Sequence, residues 1–223
     1  MLIGAVLTAS LLMYVSYLTT GSLSNAQNVG IIGLIGLFLG YFYTAKPIRL
    51  VSRSGLGEIA VFLAFGPLLT LGTLFAISTT TIELFSIDFY NAIYLGMPLG
   101  FLTTNILYIN QFPDANSDAK TGKNHLVVTL GKKIARWVYL IILLAAFGSS
   151  YLLLDTFNSS IDNFYSNVYL IGTGILFIYG FYIFTRLFKL YDSRELINSN
   201  LNTIYLQIFF GLFYALILNN FFI

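Results

Sequence analysis

Two aspartates four residues apart, Asp114 and Asp118, have the clearest potential for chemistry in this chain. On a helix this spacing places both on one face, together with Asn110 one step earlier. Neighbouring carboxylates repel each other unless a cation lies between them, and hard oxygen ligands of this kind suit Mg²⁺. Lys120 and Lys123 follow directly and add positive charge suited to a diphosphate. The stretch predicts a Mg²⁺ site shared with a phosphorylated ligand.

A second polar segment lies earlier in the chain. It consists of Tyr43-Thr44-Ala45-Lys46-Pro47, Arg49 and Arg53, and Gly55-Leu56-Gly57-Glu58. Tyrosine at a helix end is ordinarily an interfacial anchor, and basic residues there ordinarily set topology. Cations on the same membrane side as the two acids nevertheless favour an anion site beside a metal site. Taken alone, the DxxxD spacing is weakly specific, and a solvated loop of paired acids and bases is the alternative.

The composition identifies an integral membrane protein. The 223 residues are 57% hydrophobic and 9% charged, with a mean hydropathy of +0.83, whereas about 25% charged residues is normal for a soluble domain. The apolar stretches are continuous and too long for barrel strands, so we predict an all-α, polytopic transmembrane bundle. The chain has no cysteine, which excludes disulfides and thiolate metal sites. The expected partner is the lipid bilayer, and nothing favours nucleic acid.

Seven apolar segments approach the length of about 20 residues that a bilayer core requires. They cover residues 1–19, 29–44, 58–78, 88–109, 134–154, 166–188 and 203–222. The first has neither a basic leading region nor a small-residue cleavage site, so we expect a true span and not a signal peptide.

The loops between these segments alternate in charge. All 11 basic residues fall in or beside the loops at 45–57, 110–133 and 189–202. The other loops hold no basic residue and carry Glu83, Asp155 and Asp162. The positive-inside rule predicts a cytoplasmic N-terminus, an external C-terminus and a cytoplasmic site.

Prolines and glycines predict local irregularities. Pro113 suits the first turn of a new helical segment, so a break is expected there. Pro67 and Pro98 are expected to kink their spans. A glycine stripe on the second span would let a neighbouring backbone approach closely: Gly30, Gly33, Gly36 and Gly40.

At these residues the sequence resembles the UbiA-type intramembrane prenyltransferases. The resemblance rests on the YxxKP loop from Tyr43, the GLGE helix start at 55–58, the pattern N-x-x-P-D-x-x-x-D-x-x-x-G-K from Asn110, and LVVTLG at 126–131. Within the family the chain is most similar to the 1,4-dihydroxy-2-naphthoate prenyltransferases of menaquinone synthesis. The motifs cover about residues 41–131, and helix order extends the similarity along the chain.

The resemblance implies one transmembrane domain over residues 1–223 and a mechanism. Enzymes of this kind bind a polyprenyl diphosphate through Mg²⁺ held by two aspartate-rich motifs, ionise it to an allylic cation, and let an aromatic acceptor attack. Metal and basic partners stabilise the leaving diphosphate, while aromatic faces favour the cation. Carried over by position, the metal ligands would be Asp114 and Asp118, supported by Asn110, with Lys46, Arg53, Lys120 and Lys123 around the diphosphate and Tyr43 lining the acceptor or cation pocket.

The chain departs from the family pattern in one respect. The family's first aspartate-rich motif, NDxxDxxxD, ends its second helix, whereas the first aspartate here is Asp88, on the predicted opposite membrane side. Counting back from the YxxKP loop, two of the family's nine helices are not found. The expectation is a shortened form or fragment, or a diverged homologue with half its metal site.

Two other functional classes stay open. One is an inactive relative that serves as a lipid-binding or interaction subunit. The other is a seven-helix transporter, disfavoured because transporters usually place ionisable groups near the bilayer midplane. Three further polar residues are expected to be structural: Glu58 at a helix N-terminus, the single histidine His125, and Asn105 between helices.

Overall fold

The computed structural model describes residues 2–157 and 163–219, and its regular elements within these ranges are all helical. The α-helices are α1 (Leu2–Thr20), α2 (Leu23–Thr44), α3 (Leu56–Phe65), α4 (Pro67–Ile77), α5 (Ile87–Lys120), α6 (Leu126–Leu130), α7 (Lys132–Phe157), α8 (Asn163–Leu190) and α9 (Ile197–Asn219). With α3 and α4 counted as one span, seven are long and apolar enough to cross a membrane. The predicted all-α, polytopic bundle is confirmed. Asp162 lies outside the described residues.

Helix α2 begins earlier than its apolar pattern predicts. Its first residue is Leu23, whereas the predicted span started at residue 29. Asn25 is fully buried; its Oδ1 accepts from the Ile82 amide and its Nδ2 donates to the Thr80 carbonyl, both at 3.0 Å. Because both ends of the amide are hydrogen-bonded, a polar residue is tolerated inside the bundle. Hydropathy alone does not reveal that the helix includes these polar residues.

The third span is divided at Gly66. The sequence predicts a kink at Pro67, and in the structure Pro67 opens the new helix α4, where its missing N–H breaks no intrahelical bond. The division packs against two glycines of α5. A Cβ on Gly96 would lie 2.6 Å from the Gly66 carbonyl oxygen, and one on Gly100 would lie 3.0 Å from the Gly66 Cα. The two backbones therefore meet without intervening side chains.

The predicted glycine stripe of α2 does not mediate a comparable approach. A Cβ on Gly36 or Gly40 would meet nothing within 4 Å, and one on Gly33 would make an ordinary contact of 3.6 Å with Ala9. The expectation of close backbone packing along this stripe is wrong at these positions. The tight crossing is instead the one between Gly66 and α5.

Replacing Gly96 with alanine should destabilise the bundle by about 1–3 kcal/mol, the usual cost of overpacking. The new methyl group would lie 2.5 Å from Thr70 Oγ1 and 2.6 Å from the Gly66 backbone, so helices must separate. Gly148→Ala is the matched control, since a Cβ there meets nothing within 4 Å. Thermal denaturation in detergent measures the difference. Equal melting temperatures for both variants would contradict the close crossing.

Helix α5 is long enough to extend beyond the bilayer. It contains 34 residues, and at 1.5 Å per residue spans about 51 Å, against about 30 Å for the hydrocarbon core. The predicted break at Pro113 is wrong, because the helix continues through it to Lys120. Phe112 and Ala115 are buried on either side of Pro113. Tertiary packing thus carries the helix past the proline.

Helix α5 also forms the centre of the bundle, in contact with α3, α4, α7 and α9. Asn105 is fully buried and its Nδ2 donates to the Tyr139 carbonyl of α7 at 3.2 Å. Tyr139 in turn shares a hydrogen bond of 3.0 Å with Thr203 of α9. The interhelical role expected for Asn105 is confirmed.

The helix ends that carry basic residues meet at one end of the bundle. Lys132 Nζ lies 2.7 Å from Asp192 Oδ1, which joins the start of α7 to the end of α8. Arg136 donates to the Phe188 carbonyl at 2.9 Å, with its guanidinium 3.7 Å from the centre of the Phe188 ring. The predicted functional residues lie at this same end, which we call the polar end.

Candidate functional site

The chain reverses direction directly after α5. Gly122 has a φ of +72°, a conformation that glycine adopts without strain. The amides of Thr121 and Lys123 both donate to the Asp118 carbonyl, at 3.1 and 3.0 Å. These bonds cap the last turn of the helix. Residues 123–126 are thereby folded back beside the Asp118 side chain.

Asp118 receives two side chains from this returning segment. Lys123 Nζ and His125 Nε2 each lie 3.0 Å from the same carboxylate oxygen, Oδ2. Within the part of the chain that the structure describes, Oδ1 accepts no hydrogen bond. A carboxylate held at one oxygen presents the other in a fixed direction, as a ligand for a cation requires.

His125 is almost completely buried, with 1% of its surface exposed. Burial lowers the pKa of His125 and outweighs the opposing hydrogen bond to Asp118. The imidazole is therefore neutral at neutral pH. In the tautomer with the ring proton on Nε2, His125 donates to the Asp118 carboxylate. This hydrogen bond orients the Asp118 side chain.

Glu58 links this turn to the second polar segment. It lies in the first turn of α3 with 3% of its surface exposed. Its Oε1 accepts from Gln111 Nε2 of α5 at 3.0 Å and from the Leu126 amide at 3.2 Å. Glu58 thus lies at the N-terminus of its own helix, as expected, and in addition bonds the first amide of α6. Three separate elements converge on this carboxylate.

The second polar segment lies against the same region. Tyr43, at the end of α2, is half-buried and close enough to Glu58 for electrostatic interaction. Gly57 packs on the preceding turn, where a Cβ would lie 3.2 Å from the Val51 Cα. This close contact places the loop directly beside the start of α3. Glu58 therefore joins the start of α3 to the segment that follows the Asp118 turn.

Lys46 and Arg53 of that loop are exposed. Arg53 donates through Nε to the Ile48 carbonyl at 2.6 Å and through Nη2 to the Pro47 carbonyl at 3.4 Å. Lys46 is exposed, and within residues 2–157 and 163–219 it makes no side-chain hydrogen bond or ion pair. Lys46 is thus free to reach a ligand, while Arg53 must exchange its contacts with its own loop.

The remaining predicted residues of α5 make fewer contacts with the Asp118 turn. Asp114 and Lys120 are exposed and form no ion pair with any described residue. Asn110 contacts α9 instead, because its Oδ1 accepts from Asn200 Nδ2 at 2.7 Å. The structure brings together Asp118, Lys123 and the Tyr43 region, whereas Asn110 faces a different neighbour.

The donor set fits a metal shared with a ligand. Among the described residues no three His, Cys, Asp or Glu side chains gather as a metal cage. Asp114 and Asp118 share a helix face, and each offers oxygen atoms not engaged by a described residue. Mg²⁺ commonly uses one or two carboxylates and takes its other ligands from water and phosphate oxygens. These two residues would hold such an ion.

Comparison with known proteins decides the family. The model of the UbiA prenyltransferase family matches residues 2–218. The chain belongs to the UbiA prenyltransferase family. The resemblance in its motifs is thereby confirmed, and no solved structure matches this UbiA-family chain.

Several curated proteins are similar to part of this UbiA-family chain. "UbiA prenyltransferase domain-containing protein 1" of Dictyostelium discoideum is 31% identical over 145 residues, covering 65% of this chain and 40% of that protein. The "1,4-dihydroxy-2-naphthoate octaprenyltransferase" of Haemophilus influenzae is 32% identical over 152 residues, 68% of this chain and 46% of the relative. The "2-carboxy-1,4-naphthoquinone phytyltransferase" of Synechocystis is 33% identical over 115 residues, which cover 51% of this chain and 35% of that protein. The aligned regions span less than half of each relative.

Sequence reasoning missed three residues around the site. The sequence predicts only structural roles for Glu58 and His125 and no role for Gln111. All three are buried at the polar end and contact one another or Asp118. A charged or amide residue beside a motif within an apolar chain is a usable signal. The sequence does not reveal, however, that Glu58 and Gln111, which are 53 positions apart, form a hydrogen bond with each other.

Proposed function

We propose that this chain transfers a polyprenyl group from a polyprenyl diphosphate to an aromatic acceptor of the 1,4-dihydroxy-2-naphthoate type. Family membership and the named naphthoate prenyltransferases among its relatives support this proposal. The observation that carries it is Asp118, whose carboxylate is fixed through Oδ2 by Lys123 and His125 at the polar end. A fixed carboxylate beside free basic residues suits a metal-bound diphosphate.

The residues divide into three roles in this proposal. Asp114 and Asp118 would hold Mg²⁺, which when bound would stabilise the negative charge on the departing diphosphate. Lys46, Arg53, Lys120 and Lys123 bind the diphosphate oxygens, with Asn110 supporting the motif. Tyr43 lines the pocket for the acceptor or the allylic cation, which an aromatic face favours. The allylic C–O bond breaks with its electron pair on the diphosphate. A ring carbon of the acceptor then bonds to the allylic cation and loses the group that it carried, either a proton to solvent or a carboxyl group as CO₂, which restores the aromatic ring.

Two apolar cavities offer room for the prenyl tail. One, of about 350 Å³, lies between α2 and α3 and includes Tyr43. The other, of about 330 Å³, continues between α1, α2 and α4 as far as Val29. Both include Gly36 and Ala64. From Tyr43 to Val29 the path runs about 21 Å along the helix, at 1.5 Å per residue. The tail would extend from the diphosphate site into the bilayer.

The positive charges favour a cytoplasmic location for this site. The basic residues of three loops meet at the polar end, in agreement with the positive-inside rule. We infer that the N-terminus is inside and the C-terminus outside.

Turnover by the purified chain tests this function. The chain in nanodiscs is incubated with Mg²⁺, geranylgeranyl diphosphate and 1,4-dihydroxy-2-naphthoate, and the product is identified by mass spectrometry. Prenylated naphthol and pyrophosphate should appear in equal amounts. Parallel reactions with hydroxybenzoate and homogentisate define the acceptor. Tight binding of the diphosphate without product would favour an inactive lipid-binding homologue, and solute flux in liposomes without product would favour a transporter.

A further inference from the structure

The strongest unassigned feature is the buried carboxylate of Glu58, which none of the predicted catalytic, metal or substrate-binding roles includes. Glu58 is 3% exposed, and its partners come from α5 and from the start of α6. Burying a carboxylate in a membrane protein is costly, so its retention at this place calls for a function. Its position at the junction of both polar segments indicates which function.

We infer that Glu58 is a positioning residue that anchors the turn after α5 and thereby orients Asp118. The Leu126 amide is the first of α6, and the first amides of a helix have no intrahelical acceptor. Glu58 Oε1 supplies that acceptor at 3.2 Å. Leu126 is bonded covalently to His125, whose Nε2 lies 3.0 Å from Asp118 Oδ2. One side chain of α3 thus fixes the residue that holds the metal ligand.

Gln111 strengthens this anchor from α5. It is 6% exposed and donates to the same Oε1 at 3.0 Å. Gln111 and Asp118 lie on one helix, seven residues apart and therefore on nearly the same face. Glu58 consequently fixes the position of the turn relative to the helix that carries Asp118. The positions of both His125 and Asp118 therefore depend on Glu58.

The anchoring requires an acceptor atom and not a negative charge. Glu58→Gln retains an oxygen that can accept from the Leu126 amide, whereas Glu58→Met fills similar space without an acceptor. Thr203→Val is the matched control, because Thr203 is 1% exposed and hydrogen-bonded to Tyr139 away from this turn. The three variants separate the anchoring from a general loss of packing.

Hydrogen–deuterium exchange of the Leu126 amide tests the anchor without reference to activity. In Glu58→Met this amide should exchange at least about tenfold faster, while in Glu58→Gln and Thr203→Val it should stay within about threefold of the unsubstituted chain. Equal exchange in Glu58→Met and the unsubstituted chain would overturn the inference. So would equal acceleration in Glu58→Gln and Glu58→Met, since the acceptor would then not matter.

A second readout rests on the proposed function. The Mg²⁺ concentration for half-maximal turnover should rise about tenfold in Glu58→Met and return close to the original value in Glu58→Gln. A loss of stability alone lowers the amount of folded protein without changing this concentration, as Thr203→Val should show. An unchanged Mg²⁺ requirement in an active Glu58→Met would overturn the link to Asp118. Faster exchange in a chain without turnover would support the anchor and count against the proposed function alone.

Discussion

Replacing Asp118 with asparagine should lower kcat for prenyl transfer by about 10²–10³, the usual loss when one preorganised electrostatic group is removed. The asparagine oxygen can still accept from Lys123 and His125, which lie 3.0 Å from Oδ2. The other position then carries an NH₂ group, which donates hydrogen bonds and does not bind a cation. The fold should persist while the chemistry is lost. Initial rates of pyrophosphate release measure the change.

The control for this variant is another carboxylate at the polar end. Asp192 follows α8 and pairs with Lys132 at 2.7 Å, not with a residue of the Asp118 turn. Asp192→Asn should leave the rate within about twofold, since exposed ion pairs contribute little. An equal loss of activity in both variants would contradict a specific role for Asp118 in the reaction.

Removing Mg²⁺ should abolish turnover, with a loss of at least about 100-fold on treatment with EDTA and recovery on adding Mg²⁺. Only two carboxylates, Asp114 and Asp118, share the exposed face at the end of α5, and no third acidic side chain completes a cage within the described residues. In the proposed function, an ion bound here would take its remaining ligands from the diphosphate and from water. Ca²⁺, which takes more ligands at longer distances, should restore little activity.

Asp114→Asn sharpens the test of this metal site. Asp114 has no ion pair among the residues that the structure describes, so its loss should disturb the fold little. The half-saturating Mg²⁺ concentration should nevertheless rise about tenfold, because one of two protein ligands is gone. Turnover that persists in EDTA, or an Asp114→Asn variant with unchanged Mg²⁺ dependence, would contradict the assignment.

The sequence predicts the bundle well because bilayer spans have a strong signal. All seven apolar segments correspond to helices, since every backbone group in hydrocarbon must be hydrogen-bonded. The errors arise where packing overrides composition. Asn25 is buried by bonds to the 80–82 loop, and Pro113 lies within a helix that its neighbours hold on both sides. Neither bond partners nor packing neighbours are visible in a local pattern.

The sequence predicts only those site residues that lie close together along the chain. Asp118 and Lys123 are five residues apart and belong to one motif, so spacing and resemblance find both. Glu58 and Leu126 are 68 residues apart, and only the crossing of α3 and α5 brings them into contact. That crossing depends on glycines 66, 96 and 100, whose packing is a tertiary property. The motif therefore reveals Lys123, which contacts Asp118 directly, but not Glu58, which contacts the returning segment from another helix.

In the proposed function, the Lys46 loop and the Asp118 turn bind one diphosphate. Equilibrium binding of a non-reactive thiolodiphosphate analogue of geranylgeranyl diphosphate in Mg²⁺ tests whether they do. Lys46→Met and Lys123→Met should each raise Kd about tenfold. The double variant should raise Kd by clearly less than the product of the two single effects, because residues that share a ligand are energetically coupled. Lys133→Met, an exposed lysine in the first turn of α7, is the control and should leave Kd unchanged. An unchanged Kd in Lys46→Met, with a strong loss in Lys123→Met, would show that the two segments do not form one site.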